Sequence, residues 1–157
     1  MNKKRISQIG LAVIILLFLA GIGGWAGLQL LPDKRTNPPV VNEPPWDSPQ
    51  TRELAARACF DCHSNETKWP WYSNIPPATQ LIWREVRKGR SELNYSDWHP
   101  NREDESIEKI LNGRMPPRKY LALHPEARLT NAETKALIAG LKATFGNSIE
   151  GAHNRDN

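Results

Sequence analysis

The feature that most constrains this chain is a pentapeptide, Cys59-Phe60-Asp61-Cys62-His63, which holds the only two cysteines in 157 residues. Cys-x-x-Cys-His is the attachment signature for c-type haem. The spacing has a chemical reason. Each thiol adds across one haem vinyl group to give a thioether, and two intervening residues let one turn of chain reach both vinyls. His63 then lies against the porphyrin face, where it can ligate the iron. Such a histidine ordinarily donates its other ring N–H to a backbone carbonyl; Ile75-Pro76-Pro77 is the expected source. The expected cofactor is therefore one haem c per chain, and the fold must wrap around it. Three other readings compete. Zinc needs four N or S ligands, and no second cysteine pair or His-x-x-x-His follows. A thioredoxin-like dithiol needs a βαβ context, which the sequence lacks. A disulfide between cysteines this close would constrain little.

The second axial ligand must come from downstream. Met1 is the initiator, so Met115, in Met115-Pro116, is the methionine available for chemistry. Thioether ligation opposite histidine raises the reduction potential. Packing as a core gap-filler is the other role open to it. The rivals are His124, which precedes Pro125, and His99; His153 lies near the C-terminus. Trp69, Trp71 and Tyr72 follow His63 closely. Flat apolar rings with a polar edge suit a haem wall, although ordinary core packing suits them equally. Trp98 is read in the same way.

Ile9 to Leu31 is a run of 23 residues without a charge, preceded by Lys3, Lys4 and Arg5. About 20 apolar residues cross a bilayer. The basic cluster keeps the N-terminus in the cytoplasm and sends the remainder to the periplasm or extracytoplasmic space. A cleaved signal peptide is the alternative, but its apolar stretch usually runs only about 7–15 residues. That cluster carries most of the net charge of +4. The rest of the chain is close to neutral and shows no basic stripe of the kind nucleic-acid binding requires.

The chain thus divides into an anchor over residues 1–31, a proline-rich tether over 32–48, a haem-binding domain over 49–146 and a polar tail over 147–157. Pro32 to Pro49 hold six of the thirteen prolines. If polyproline-like, the tether reaches about 55 Å at ~3.1 Å per residue. The domain reads as all-α. Ser48 caps a helix with Pro49 at its first position, and Leu54, Ala55 and Ala58 form its apolar stripe. A second helix is expected from about Pro77 to Lys88, with Leu81, Ile82 and Val86 on it and Gly89 as its stop. A third runs from about Glu103 to Asn112, with Ile107, Ile110 and Leu111 on its apolar face and Gly113 closing it. A fourth starts at Thr130, where Thr130 and Glu133 make a capping box. Leu137, Ile138, Leu141 and Phe145 form its buried face, Gly146 ends it, and the tail beyond is read as disordered.

Cys59 to Ala139 resembles the bacterial haem-binding domain family of small CxxCH proteins. The matching pieces are Cys59-Phe60-Asp61-Cys62-His63-Ser64-Asn65-Glu66-Thr67, Trp69-Pro70-Trp71-Tyr72, Ser96-Asp97-Trp98, Met115-Pro116-Pro117 and Leu123-His124-Pro125-Glu126-Ala127-Arg128-Leu129. The resemblance implies a cytochrome-c-like helical domain, membrane-anchored, that binds haem and moves electrons. Its first and last helices are expected to cross. Both Met115 and His124 belong to the family pattern, so the distal ligand stays open between them. The expected activity is single-electron transfer between redox partner proteins, with no enzymatic substrate. A tethered head favours such exchange by raising effective concentration. The alternatives are a gas or peroxide sensor or a small haem enzyme with an open iron site, and a non-haem thiol protein.

Overall fold

A computed structural model describes residues 3–30, 34–99 and 103–153, with side chains described for 8–30, 34–99 and 105–146. The chain is helical: α1 (Lys3–Gln29), α2 (Pro49–Ala58), α3 (Phe60–His63), α4 (Ala78–Glu92), α5 (Glu103–Leu111), α6 (Arg118–Leu121) and α7 (Asn131–His153), with 3-10 turns at Trp71–Asn74 and Pro125–Ala127. Among the described residues there is no strand, and an isolated parallel bridge pairs Asn42 with Asp97. The residues form two compact units. The smaller holds Met1–Arg35 and Pro70–Ile82, and the larger holds Thr36–Trp69 and Trp83–Asn157.

In the smaller unit, Gln8–Gln29 of α1 is long and apolar enough to cross a membrane. Most of its isoleucines and leucines, with Phe18, stand exposed. The expected charge cluster Lys3-Lys4-Arg5 has side chains outside the described residues. In the same unit Arg35 Nη1 donates to Ser73 Oγ at 3.0 Å and to Asn74 Oδ1 at 2.6 Å.

The larger unit is built on a crossing of α2 and α7. Ser48 caps α2 by accepting from the Thr51 N–H at 3.2 Å, with Pro49 in the first turn. The Thr130–Glu133 box starts α7: Thr130 N–H donates to Glu133 Oε2 at 2.7 Å, and Glu133 N–H donates to Thr130 Oγ1 at 3.2 Å. Arg57 of α2 pairs with the same Glu133. The helices meet at Gly140, where a Cβ would lie 1.9 Å from Thr51 Oγ1. The core beside this crossing contains Leu54, Ala55, Phe60, Tyr95, Trp98, Ile107, Leu137, Leu141 and Phe145. Burying side chains of this size contributes about 1.5–3 kcal/mol each. Trp98 stacks between Tyr95 and Phe145, with centroids 6.1 and 5.3 Å away, so it is core.

Four expectations are corrected. Gly89 does not stop the second helix, which runs on to Glu92; the glycine is there because the helix passes against Cys62, as described below. Gly146 does not end α7, which continues to His153. Glycine costs a helix only about 1 kcal/mol relative to alanine, and Gly146 lacks the left-handed backbone that a true terminator has. Gly113 does have it, with φ +64°, and closes α5 as expected. Leu111 and Leu81 are exposed, at 63% and 54%, so the buried stripes of their helices are narrower than the spacing suggests.

The fourth correction concerns the tether. Residues from Thr36 onward belong to the larger unit and are bonded to it. Arg90 Nη1 donates to the Thr36 carbonyl at 2.8 Å, Asn65 Nδ2 to the Pro39 carbonyl at 2.9 Å, and the Val41 N–H to the Ser96 carbonyl at 2.8 Å. Trp98 N–H donates to the Asn42 carbonyl at 3.2 Å. An extended proline-rich strand makes no hydrogen bonds within itself, so its carbonyls are open to donors from a folded neighbour. Here they are taken.

Candidate functional site

The turn Cys59–Ser64 is built by the chain around it. Cys59 N–H donates to the Ala55 carbonyl at 2.8 Å, ending α2, and His63 N–H donates to the Cys59 carbonyl at 2.9 Å, closing α3. Ser64 Oγ donates to the Phe60 carbonyl at 2.8 Å. The buried Phe60 anchors the turn in the core, stacked on Tyr95 at 5.5 Å. α4 then packs directly on the motif. A Cβ at Gly89 would stand 2.2 Å from the Cys62 carbonyl oxygen, an approach that only glycine permits. The next residue, Arg90, fixes the contact: its Nε donates to the Ser64 carbonyl at 2.7 Å and its Nη2 to Thr67 Oγ1 at 2.9 Å.

Cys59, Cys62, His63 and Met115 all line one cavity of about 770 Å³ in the larger unit. This volume lies in the range of sites for small molecules and cofactors, about 300–1,000 Å³. Its apolar wall includes Ile110, Leu121, Leu129 and Leu137, with Tyr95 and Tyr120. Exposed Glu85, Lys88, Arg118 and Arg128 stand among the lining residues.

His63 Nδ1 donates to the Leu93 carbonyl at 3.0 Å. The carbonyl that orients this imidazole therefore comes from just past the end of α4 and not from Ile75-Pro76-Pro77. Burial lowers the pKa of His63 below its ordinary value, against a smaller opposing effect of the Leu93 carbonyl. The imidazole is neutral at neutral pH, with its proton on Nδ1, which leaves the Nε2 lone pair free to bind a metal. Cys59 and Cys62 are free thiols. Burial pushes Cys59 up to about 12, helped by Cys62. Burial likewise pushes Cys62 up to about 11, helped by the charges of Asp61 and Glu85. Neither resembles the low-pKa thiolate of a dithiol exchanger.

Met115 is half-buried at the cavity wall. After Gly113 the chain folds back, and the N–H groups of Arg114 and Met115 both donate to the Lys109 carbonyl, at 2.9 and 3.1 Å. The rival histidines are elsewhere. His124 does not line the cavity; it stacks on Tyr120 with centroids 4.2 Å apart, and its Nδ1 lies 3.1 Å from Glu126 Oε1. His99 is exposed and pairs with Asp97 at 3.3 Å. The side chain of His153 lies outside the described residues. The expected aromatic wall also differs. Trp69 is in the larger unit but not among the lining residues; Trp71 and Tyr72 are in the smaller unit, edge-on to each other, with Trp71 76% exposed.

Two lining residues, Asp61 and Tyr120, carried no sequence signal of their own. Tyr120 Oη donates to Asp61 Oδ2 at 2.8 Å. Burial first, and this bond second, hold the Tyr120 hydroxyl well above the ordinary tyrosine range. Among the described residues, no group of three or more His, Cys, Asp or Glu is placed to hold a metal ion.

A half-buried neutral imidazole whose Nδ1 is bonded to a backbone carbonyl, a thioether and two thiols around one largely apolar cavity fit a haem. The sequence comparison agrees: the chain belongs to the haem-binding domain family, which matches it over residues 24–143. No curated protein and no solved structure matches it.

Proposed function

We propose that the protein is a membrane-anchored monohaem c-type cytochrome that passes single electrons between redox partner proteins. One observation carries this reading: Cys59, Cys62, His63 and Met115 line the same cavity. The two thiols would hold the haem covalently. Each S–H adds across one vinyl double bond, sulfur to one carbon and hydrogen to the other, so attachment needs no oxidant. His63 Nε2 and Met115 Sδ would hold the iron. Haem iron held this way supplies a one-electron couple whose potential the thioether raises. The chain's own residues set the conditions for that couple. The Leu93 carbonyl keeps the imidazole in one orientation and makes it a better donor. Ile110, Leu121, Leu129 and Leu137 would give the group apolar wall to pack on.

Electron transfer asks for no substrate subsite, which makes a carrier the better reading than an enzyme. The apolar run of α1, with Lys3, Lys4 and Arg5 at the helix's N-terminal end, supports a single-pass anchor with its N-terminus in the cytoplasm and the haem domain in the periplasm. Absorption spectra of the oxidised and reduced protein test the reading. Wild type is expected to show a six-coordinate haem reduced by a cytochrome or quinol-linked donor. Met115→Ala is expected to lose the sixth ligand, while His124→Ala is expected to keep it. Rapid, complete carbon monoxide binding by the reduced wild type would refute the carrier and indicate an open-iron sensor or enzyme.

A further inference from the structure

Asp61 sits between the two cysteines, where thioether formation asks nothing of it. Its carboxylate nevertheless has two partners. Oδ1 accepts from the Lys68 N–H at 2.9 Å, and Oδ2 accepts from the Tyr120 hydroxyl at 2.8 Å. The first bond is local and folds the carboxylate back over its own loop. The second reaches 59 residues down the chain to α6, and both of its partners line the cavity.

What lies between Tyr120 and the distal thioether gives this bond its meaning. Met115 is followed by Pro116 and Pro117, whose rings fix their φ angles. The Tyr120 and Leu121 N–H groups then donate to the Pro117 carbonyl at 2.9 and 3.1 Å. The path from Met115 to Tyr120 is therefore two stiff residues and one hydrogen-bonded turn. On its other side, Met115 is held by the bond from its N–H to the Lys109 carbonyl. A methionine side chain has three rotatable bonds and little intrinsic placement, so the backbone on both sides must set where its sulfur goes. Lys119 also pairs with Glu85 at 2.7 Å, but both groups are exposed, and such pairs contribute little. The less exposed tie is the tyrosine's, since Asp61 and Tyr120 are both half-buried.

We propose that Asp61 and Tyr120 form a latch that clamps the Met115 segment to the haem motif, making them positioning residues for the distal ligand. This rests on the reading of Met115 as that ligand. The latch joins the proximal and distal halves of the site through Asp61, one of the two motif positions that neither sulfur nor iron chemistry uses.

The test uses full-length, haem-loaded protein and four variants: Tyr120→Phe, Asp61→Ala, Asp61→Asn and Met115→Ala. Two readouts respond to the sulfur–iron bond. One is the sulfur-to-iron charge-transfer band of the oxidised protein. The other is the rate of carbon monoxide binding to the reduced protein. Both are recorded on samples whose circular dichroism is wild-type, so a merely structural role leaves them unmoved. Tyr120→Phe and Asp61→Ala are expected to weaken the band and raise the carbon monoxide rate roughly tenfold or more, the factor that loss of a hydrogen bond to a charged group implies. Asp61→Asn keeps one oxygen for the Lys68 N–H and offers its amide N–H to the Tyr120 hydroxyl oxygen, so it retains an uncharged bond and is expected to fall between wild type and Asp61→Ala. Should Tyr120→Phe not fold, the contrast between Asp61→Ala and Asp61→Asn decides. A wild-type band and rate in Tyr120→Phe, or in Asp61→Ala, alongside loss of the band in Met115→Ala overturns the latch alone. Retention of the band in Met115→Ala overturns the ligand assignment, and the latch with it.

Discussion

A single methyl group added at Gly89 probes how closely α4 must pass the haem motif. Its Cβ would stand 2.2 Å from the Cys62 carbonyl oxygen, 2.9 Å from the carbonyl carbon and 3.0 Å from Cys62 Cβ. The nearest two atoms are backbone, so no side-chain rotation relieves the clash. Ordinary contact lies near 3.5–4.0 Å, so α4 must retreat by roughly an ångström or more. Overpacking of this kind costs about 1–3 kcal/mol. The retreat also stretches the bond from His63 Nδ1 to the Leu93 carbonyl, now 3.0 Å, at a further cost of about 1 kcal/mol. Against these stands the helix preference for alanine, about 1 kcal/mol. The net expectation is a loss of roughly 2 kcal/mol, together with a disturbed His63 imidazole. Urea unfolding followed by circular dichroism measures the first, and the Soret band of the folded protein reports the second. Gly146→Ala is the control: it has open space around it in the middle of a helix, and it is expected to stabilise by up to about 1 kcal/mol. A Gly89→Ala protein that unfolds at or above the wild-type midpoint would refute the packing argument.

Three further outcomes follow from the same structure. Arg90→Ala removes four hydrogen bonds, to the Ser64 and Thr36 carbonyls, Asn37 Oδ1 and Thr67 Oγ1; a loss of about 1–3 kcal/mol is expected, with faster proteolysis near Thr36 as the direct sign. Glu133 is held down to about 2, chiefly by the Thr130 N–H and then by Arg57. Because its folded value lies below its ordinary 4.5, its stabilising effect is full above that pH and fades as pH falls towards about 2. Glu133→Gln should flatten that part of the stability profile, and an unchanged acid limb would count against the capping box. Leu141→Ala, at a fully buried core position, is expected to cost about 2–5 kcal/mol in denaturant unfolding; a cost under 1 kcal/mol would show that the α2–α7 crossing is not packed as described.

Features written in local chemistry were legible before the structure. Ser48 with Pro49, Thr130 with Glu133, Gly113, and the cysteine–histidine motif each declare themselves within five residues. What escaped was tertiary. Gly89 carries the same letter as Gly113, yet one is a close approach between elements and the other a left-handed turn, and spacing along the chain does not separate them. The Leu93 carbonyl has no side-chain signal at all, since every residue carries one. Thr36 to Asn42 read as a free arm because proline-rich chain makes no bonds of its own; its partners, Arg90, Asn65 and Ser96, are distant in sequence. Among the aromatics, composition announced a wall but could not say which rings form it. Tyr95 and Tyr120 line the cavity, while Trp98 went to the core and Trp71 to an exposed turn.

The central claim is covalent attachment, and peptide mass spectrometry addresses it most directly. Protein is made in cells that carry haem-ligation machinery, digested with trypsin, and the fragment Ala58–Lys68 is weighed. The account predicts a mass increased by one haem, with neither thiol open to alkylation. The same fragment at its bare mass, with both thiols alkylated, would contradict it.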